Sequence, residues 1–218
     1  MKFHKAAYFN NPFIGLYLRA SDRLVLCPPT ISSKLLEQLE DALAVPVLKL
    51  FINSSPLLGL FSAMNSNGVV LPSFADGDEK KALRMAGLNV CTMERLSPGN
   101  NLVANDRAAV AAARVSRTDL RKLSDCLGVE VHHPRFADFP LATSTVVTNK
   151  GLLAYNELTG LELKKLEAIF GVKGANCTCN MGVYFNSLGV VANSNGAIVG
   201  SQTSGFEMQR IYEALGGD

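Results

Sequence analysis

The sequence predicts an α+β fold, a five-bladed β/α propeller with pseudo-fivefold symmetry in which strands surround an axis and helices lie outside. Three observations point to it. A tight-turn signal followed by an apolar run recurs five times along the 218 residues. A helix-cap residue falls eight or nine positions after each turn, and a further extended segment follows each of the first four predicted helices.

The turns are Ser21-Asp22-Arg23, Asn65-Ser66-Asn67-Gly68, Asn105-Asp106-Arg107, Asn149-Lys150-Gly151 and Asn193-Ser194-Asn195-Gly196. With Arg23, Gly68, Arg107, Gly151 and Gly196 taken as equivalent, the period is 39 to 45 residues. Asn-Gly and related pairs tolerate the positive φ of a tight hairpin, so each turn is expected to join two antiparallel strands. The runs that follow, such as Val69-Val70-Leu71 and Ala197-Ile198-Val199, are apolar without alternation, which implies burial on both faces.

Helices are expected to start at Ser32, Asp76, Ser116, Thr159 and Ser204, each able to bond a free amide of the first turn. Four have an acid three positions on, namely Glu79, Asp119, Glu162 and Glu207, and so resemble capping boxes. Apolar faces follow at helical spacing: Leu35-Leu36-Leu39-Leu43, Leu120-Leu123-Leu127 and Phe206-Ile211-Tyr212-Leu215, with a weaker face around Leu83. Extended segments are expected at 45–52, 90–96, 130–136 and 173–179. The last helix has no strand after it, so residues 2–9 are predicted to supply the strand that closes the ring. No linker separates the units, which predicts one domain over 1–218 with repeats at about 2–44, 45–89, 90–129, 130–172 and 173–218. An open solenoid would need polar end caps, and neither terminal unit has one.

Composition sets bounds on function. A 48% hydrophobic chain of this length can bury a core without disulfides or metal. The 21 basic and 19 acidic residues nearly cancel, which excludes the broad positive footprint of nonspecific nucleic-acid binding. Five cysteines, with Cys27, Cys91 and Cys126 far apart, suit free thiols in a reducing compartment. Met1-Lys2-Phe3-His4-Lys5 lacks the apolar run of a signal peptide, and no stretch approaches a membrane span, so a cytoplasmic, membrane-free protein is expected.

The ordered strings Phe9-Asn10-Asn11-Pro12-Phe13-Ile14-Gly15, Leu58-Gly59, Asn67-Gly68-Val69-Val70-Leu71-Pro72, Glu94-Arg95-Leu96-Ser97-Pro98-Gly99-Asn100, Val146-Val147-Thr148-Asn149-Lys150-Gly151 and Ala197-Ile198-Val199-Gly200 span essentially the whole chain. In order and spacing they resemble the translation initiation factor 6 family, which implies the five-bladed pentein fold. The resemblance also implies a non-enzymatic, monomeric factor without cofactor or metal. Such a factor binds the large (50S or 60S) ribosomal subunit and sterically prevents the small one from joining, in ribosome maturation and translation initiation. Its contact would be a ribosomal protein beside the sarcin–ricin loop, with minor rRNA contact. Three departures stand out: Asn53-Ser54-Ser55-Pro56 and Ser97-Pro98-Gly99-Asn100-Asn101 replace small-residue pairs common in the family; the chain stops at Gly216-Gly217-Asp218, like the shorter archaeal form; and Leu60 stands where some members have arginine.

Cys177-Thr178-Cys179 invites an alternative, since pentein relatives that hydrolyse guanidines use a cysteine nucleophile near the carboxy terminus. Such a nucleophile needs a histidine base in reach. The histidines are His4, His132 and His133, and the last two are strand neighbours that point to opposite faces. The cysteines are therefore expected to pack as small apolar residues, and a lone C-x-C pair is a weak metal signal. Arg19, Arg23, Arg107, Arg114, Arg117, Arg121 and Lys122 could touch RNA, but Arg117, Arg121 and Lys122 read as a solvated helix face.

Five short loops before the hairpins are more informative: 10–13, 54–57, 98–101, 140–143 and 181–184. Fivefold geometry puts them on one end of the ring, where small, proline and apolar residues would form a broad surface suited to a protein groove. Asn11, Phe13, Ser55, Leu57, Asn101 and Tyr184 are expected there, and the resemblance carries Gly15, Gly59, Leu60, Gly99 and Asn100 to the same face.

Overall fold

The computed structural model describes residues 1–94, 97–111, 115–134 and 140–217. Arg95, Leu96, Arg114, Arg135 and Phe136, which figure in the motifs and segments above, lie outside the described residues.

Five three-stranded sheets surround an axis. In the first blade an inner strand, Arg19–Ala20, pairs antiparallel with the central strand Val25–Cys27; the helix Ser33–Leu43 then crosses back, and Val47–Lys49 lies parallel on the outer side. The other blades repeat this plan on the central strands Gly68–Pro72, Ala108–Ala111, Gly151–Ala154 and Gly196–Gly200. Each inner strand touches the inner strands on either side, and these contacts run round the full circle. The outer strand of the fifth blade is Lys2–Ala6, parallel to Gly196–Gly200 in the register Lys2↔Gly196 to Ala6↔Gly200. The predicted closing strand is thus present. Asp41 on the first helix pins it, accepting from Lys2 Nζ and pairing with His4 Nε2 at 2.8 Å.

The strand after each helix completes its own blade instead of opening the next one. Sheet boundaries therefore run out of phase with repeats cut at 44/45, 89/90, 129/130 and 172/173.

All five cap residues cap. Asp76/Glu79, Thr159/Glu162 and Ser204/Glu207 form complete capping boxes. Ser116 accepts from the Asp119 amide, but the Asp119 carboxylate, one methylene shorter than glutamate, takes a bond from the Ser116 hydroxyl at 2.6 Å and does not reach the backbone. Phe206, expected on the apolar face of the last helix, sits in its first turn and is exposed.

The hairpin turns depart from the expected chemistry. Not one of their residues has positive φ. A side-chain oxygen at the first position organises each turn: Oδ1 of Asn65, Asn105 and Asn193, and the hydroxyls of Ser21 and Thr148, accept from the amides two and three residues on. The closing bonds run from Ser21, Asn65, Asn105, Thr148 and Asn193 to Leu24, Gly68, Ala108, Gly151 and Gly196, so Leu24 and Ala108, one residue beyond Arg23 and Arg107, are the true equivalents of the glycines. The glycines serve close approach. A Cβ on Gly68, Gly151 or Gly196 would come within 3.0 Å of a carbonyl oxygen near the end of the next blade's helix.

Hydrophobic cores form between blades. Leu123 and Leu127 of the third helix pack on Val70 of the second blade; Leu166 and Phe170 of the fourth helix pack on Val110 of the third; Leu35 and Leu39 of the first helix pack on Ile198 of the fifth. Each blade's apolar face is covered by its neighbour's helix, so closure of the ring completes the burial.

Candidate functional site

Both ends of the ring are defined by the strand directions. Hairpin turns and helix C-termini share one end; helix N-termini and the pre-hairpin segments share the other.

The pre-hairpin loops are not loops throughout. A one-turn helix lies in or just after each: Ile14–Leu16, Leu58–Phe61, Pro98–Asn101, Leu141–Ser144 and Asn186–Gly189. Asn11 and Ser55 set the entry to the first two, their side-chain oxygens accepting from the Phe13 and Leu57 amides at 2.9 and 3.3 Å. Pro98 in the first turn pre-sets φ for the third. The five helices touch in a closed circle, which brings Phe13, Leu57, Asn100 and Tyr184 to one end as expected.

Gly15, Gly59 and Gly99 do not belong to the surface of that end. All three are buried, each with its Cα facing the backbone of the preceding short helix. A Cβ would meet Ser187 O at Gly15, Gly15 O at Gly59 and Gly59 O at Gly99, in every case closer than 3.0 Å. They are packing residues, and a resemblance carries identity without separating packing from contact. Asn100 and Tyr184 are exposed; Asn11, Phe13, Ser55, Leu57, Leu60 and Asn101 are half-buried.

Large exposed apolar side chains lie at the same end. Phe9 and Met181 are each 78% exposed, and Phe74 and Phe206 also project. Phe9 and Met181 sit on tight turns, Phe9-Asn10 and Asn180-Met181, with positive φ, and Asn53-Ser54 makes the same turn in the second blade. An asparagine beside a large apolar residue was the available signal, because Asn tolerates this conformation. Helix-cap acids hold two of these turns: Glu79 accepts from Asn53 N at 2.6 Å, and Glu207 accepts from Met181 N at 3.1 Å and Gly182 N at 2.9 Å.

At the opposite end polar groups satisfy one another. The amide of Asn65 donates to Asn105 O and Leu127 O, that of Asn105 to Thr148 O and Phe170 O, and that of Asn193 to Ser21 O and Leu43 O. Each ties a blade to the last helical carbonyls of the next. Asp106 accepts from Ser66 and Asn149, and Asp22 from Ser194 and Asn149, which extends the belt around the axis. Arg107 donates to Gly171 O and Arg19 to Gly59 O, so these two cations serve the framework. Arg117, Arg121 and Lys122 lie exposed on their helix.

Cys177 and Cys179 are buried thiols. Desolvation raises both pKa values, that of Cys179 to about 12, with Glu207 adding to the rise, so neither is a thiolate at neutral pH. His4 is bound to Asp41, His132 lies 3.8 Å from Glu130, and Nδ1 of His133 faces Ala111 O at 3.1 Å. Among the described residues no three His, Cys, Asp or Glu side chains are grouped to hold a metal ion.

A closed ring of five like sheets defines the class: a five-bladed pentein-type propeller. The model of the eIF-6 family matches residues 3–214, and the chain belongs to that family. It is 37% identical over 226 residues to translation initiation factor 6 of Thermococcus onnurineus, covering 99% of both chains. It is 35% identical over 225 residues to the same factor of Pyrococcus horikoshii, again 99% of both, and 32% identical over 211 residues to that of Pyrobaculum aerophilum, 95% of this chain and 96% of the other.

Proposed function

We propose that this protein binds the large ribosomal subunit through the short-helix end of the ring and sterically prevents the small subunit from joining, with a role in ribosome maturation and translation initiation. The supporting observation is the placement of exposed apolar surface. Phe9, Phe74, Leu161, Met181, Tyr184 and Phe206 all project at this end, whereas among the described residues Met85 is the one large exposed apolar residue at the other. An end rich in exposed apolar and aromatic side chains suits a protein partner better than a phosphate backbone. The partner is accordingly read as a ribosomal protein near the sarcin–ricin loop, with minor rRNA contact. The relatives' shared name, translation initiation factor 6, agrees with this role.

The mechanism is occupancy. A rigid body on the joining surface competes with the small subunit, and no bond is made or broken. Protonated, buried Cys177 and Cys179 support a non-enzymatic reading over guanidine hydrolysis. The factor acts as a cytoplasmic monomer. No helix among the described residues is long and apolar enough to cross a membrane.

Co-sedimentation with isolated large subunits tests this. Asn100→Arg places an unpaired charge in the contact and is expected to weaken binding about 100-fold without unfolding the protein. The double change Arg121→Glu, Lys122→Glu, on the exposed helix, is expected to leave binding nearly intact. Release by the helix variant together with retention by the Asn100 variant would place the contact on the wrong face.

A further inference from the structure

Along the axis, inside the circle of inner strands, lies a cavity of about 50 Å³ walled by Arg19, Met64, Val103, Thr145, Ser187 and their neighbours. Thr145 is 1% exposed and Ser187 4%, and among the described residues neither hydroxyl has a hydrogen-bond partner in the protein. Nε of Arg19 also lacks one, while its Nη2 donates to Gly59 O. Three unsatisfied polar groups, one of them cationic, therefore share one small chamber.

Among the described residues no carboxylate lines this chamber. The acids farther along the axis, Asp22 and Asp106, are engaged by Ser66, Asn149 and Ser194. Burial alone accounts for the fall of the Arg19 pKa to about 10, so the guanidinium stays charged at neutral pH. A charge in such a site is costly unless an opposite charge or several dipoles meet it. Water satisfies hydroxyls but brings no charge. Both hydroxyls and the Nε–H can donate, which is the donor set of an anion site.

We propose that the axial chamber binds a single monatomic anion, chloride, held by Arg19 Nε and the hydroxyls of Thr145 and Ser187. Size and charge favour a halide. A chamber of this volume holds roughly three to five water-sized particles, which accommodates a halide with one or two waters. A divalent tetrahedral oxyanion would fill it and carry a second charge that one guanidinium leaves unbalanced.

Two measurements on the full chain test the site. A crystal soaked in bromide is expected to show an anomalous scatterer beside Arg19, Thr145 and Ser187. At constant ionic strength, replacing sodium gluconate by sodium chloride is expected to raise the wild-type thermal midpoint with the logarithm of chloride concentration once that exceeds the dissociation constant. Thr145→Val and Ser187→Ala should each need about tenfold more chloride for the same rise, the loss of one charge-assisted hydrogen bond. Arg19→Met should abolish the response; if that variant does not fold, the two hydroxyl variants decide. Absence of bromide from the chamber, or melting curves that are the same in chloride and gluconate, would overturn the proposal, as would an equal chloride response in wild type and hydroxyl variants.

Discussion

At the turn end of the ring, Asn65, Asn105 and Asn193 each place one amide on two carbonyls of the next blade; at the short-helix end, Gly15, Gly59 and Gly99 bring backbones together with no side chain between them. Both devices join neighbouring blades. They leave different surfaces. The turn end consumes its polar groups internally, and the carboxylates Asp22 and Asp106 already have donors. The short-helix end buries its closure in the backbone and frees the surrounding side chains, several large and apolar, to face outward. Recognition is therefore expected where closure needs the fewest side chains.

The largest effect expected concerns the seam both ends share. Residues 2–6 complete the fifth sheet, and the core beside them joins Leu35 and Leu39 to Ile198. Because each blade is covered by the next, deleting residues 2–6 should lower the thermal midpoint by about 10 °C or more, or abolish cooperative unfolding. A truncated chain that melts like the whole would mean that the blades do not depend on closure.

Next comes the short-helix end itself. Gly59→Ala puts a methyl group against the Gly15 carbonyl, backbone on backbone, where no rotamer change relieves the clash. Denaturant unfolding should register a loss of about 3 kcal/mol or more. Gly77→Ala, with nothing within 4 Å of the new Cβ, is the control and should be neutral or stabilising by a few tenths of a kcal/mol. Equal losses would show that the Gly59 effect is conformational and unrelated to close approach.

At the turn end, Asn105→Ala removes the turn-organising oxygen and orphans Thr148 O and Phe170 O together. About 2 to 4 kcal/mol of stability should be lost. Ser21→Ala removes only the local turn bonds, since a hydroxyl has no second donor to reach the next blade, and should cost about 1 kcal/mol. The difference between the two measures the tie between blades, and a difference near zero would confine the asparagines to their own turns.

The five units, their caps and the closing strand were legible because each rests on local chemistry: a turn former, a cap, an apolar run. Less of the site was. Gly15, Gly59 and Gly99 belong to contacts between short helices in different repeats, and a glycine needed for closeness looks in sequence like one needed for φ. The hairpin turns illustrate the same ambiguity, since Asn-Gly there marks a side-chain-organised turn against a neighbouring helix, while the positive-φ turns stand at Phe9-Asn10, Asn53-Ser54 and Asn180-Met181. Exposure of Phe9 follows from its turn and could not be read from hydrophobicity, whereas Met181 fell in a loop already placed on that end.

An effect smaller than that of Asn105→Ala tests whether the recognition end is held rigid. Glu207 is a buried carboxylate that accepts from Ser204, Thr178, Met181 and Gly182, and so fixes the turn that displays Met181. Burial pushes its pKa up, but the bonds from Ser204, Gly182 and Thr178 outweigh that and hold it below the ordinary value of 4.5. A carboxyl whose pKa is depressed by folding stabilises the protein fully above its unfolded value, and that contribution fades as pH falls through the folded one. Glu207→Gln keeps the shape but turns two of its four hydrogen-bonding positions into donors facing donors, so at pH 7 it should cost about 1 to 3 kcal/mol. Urea midpoints of wild type and variant should then converge as pH is lowered below 4.5. A gap of constant size from pH 7 to pH 3 would mean that Glu207 acts through its packing alone, and that the turn bearing Met181 owes its conformation to Asn180 and Gly182 and not to the charge beneath it.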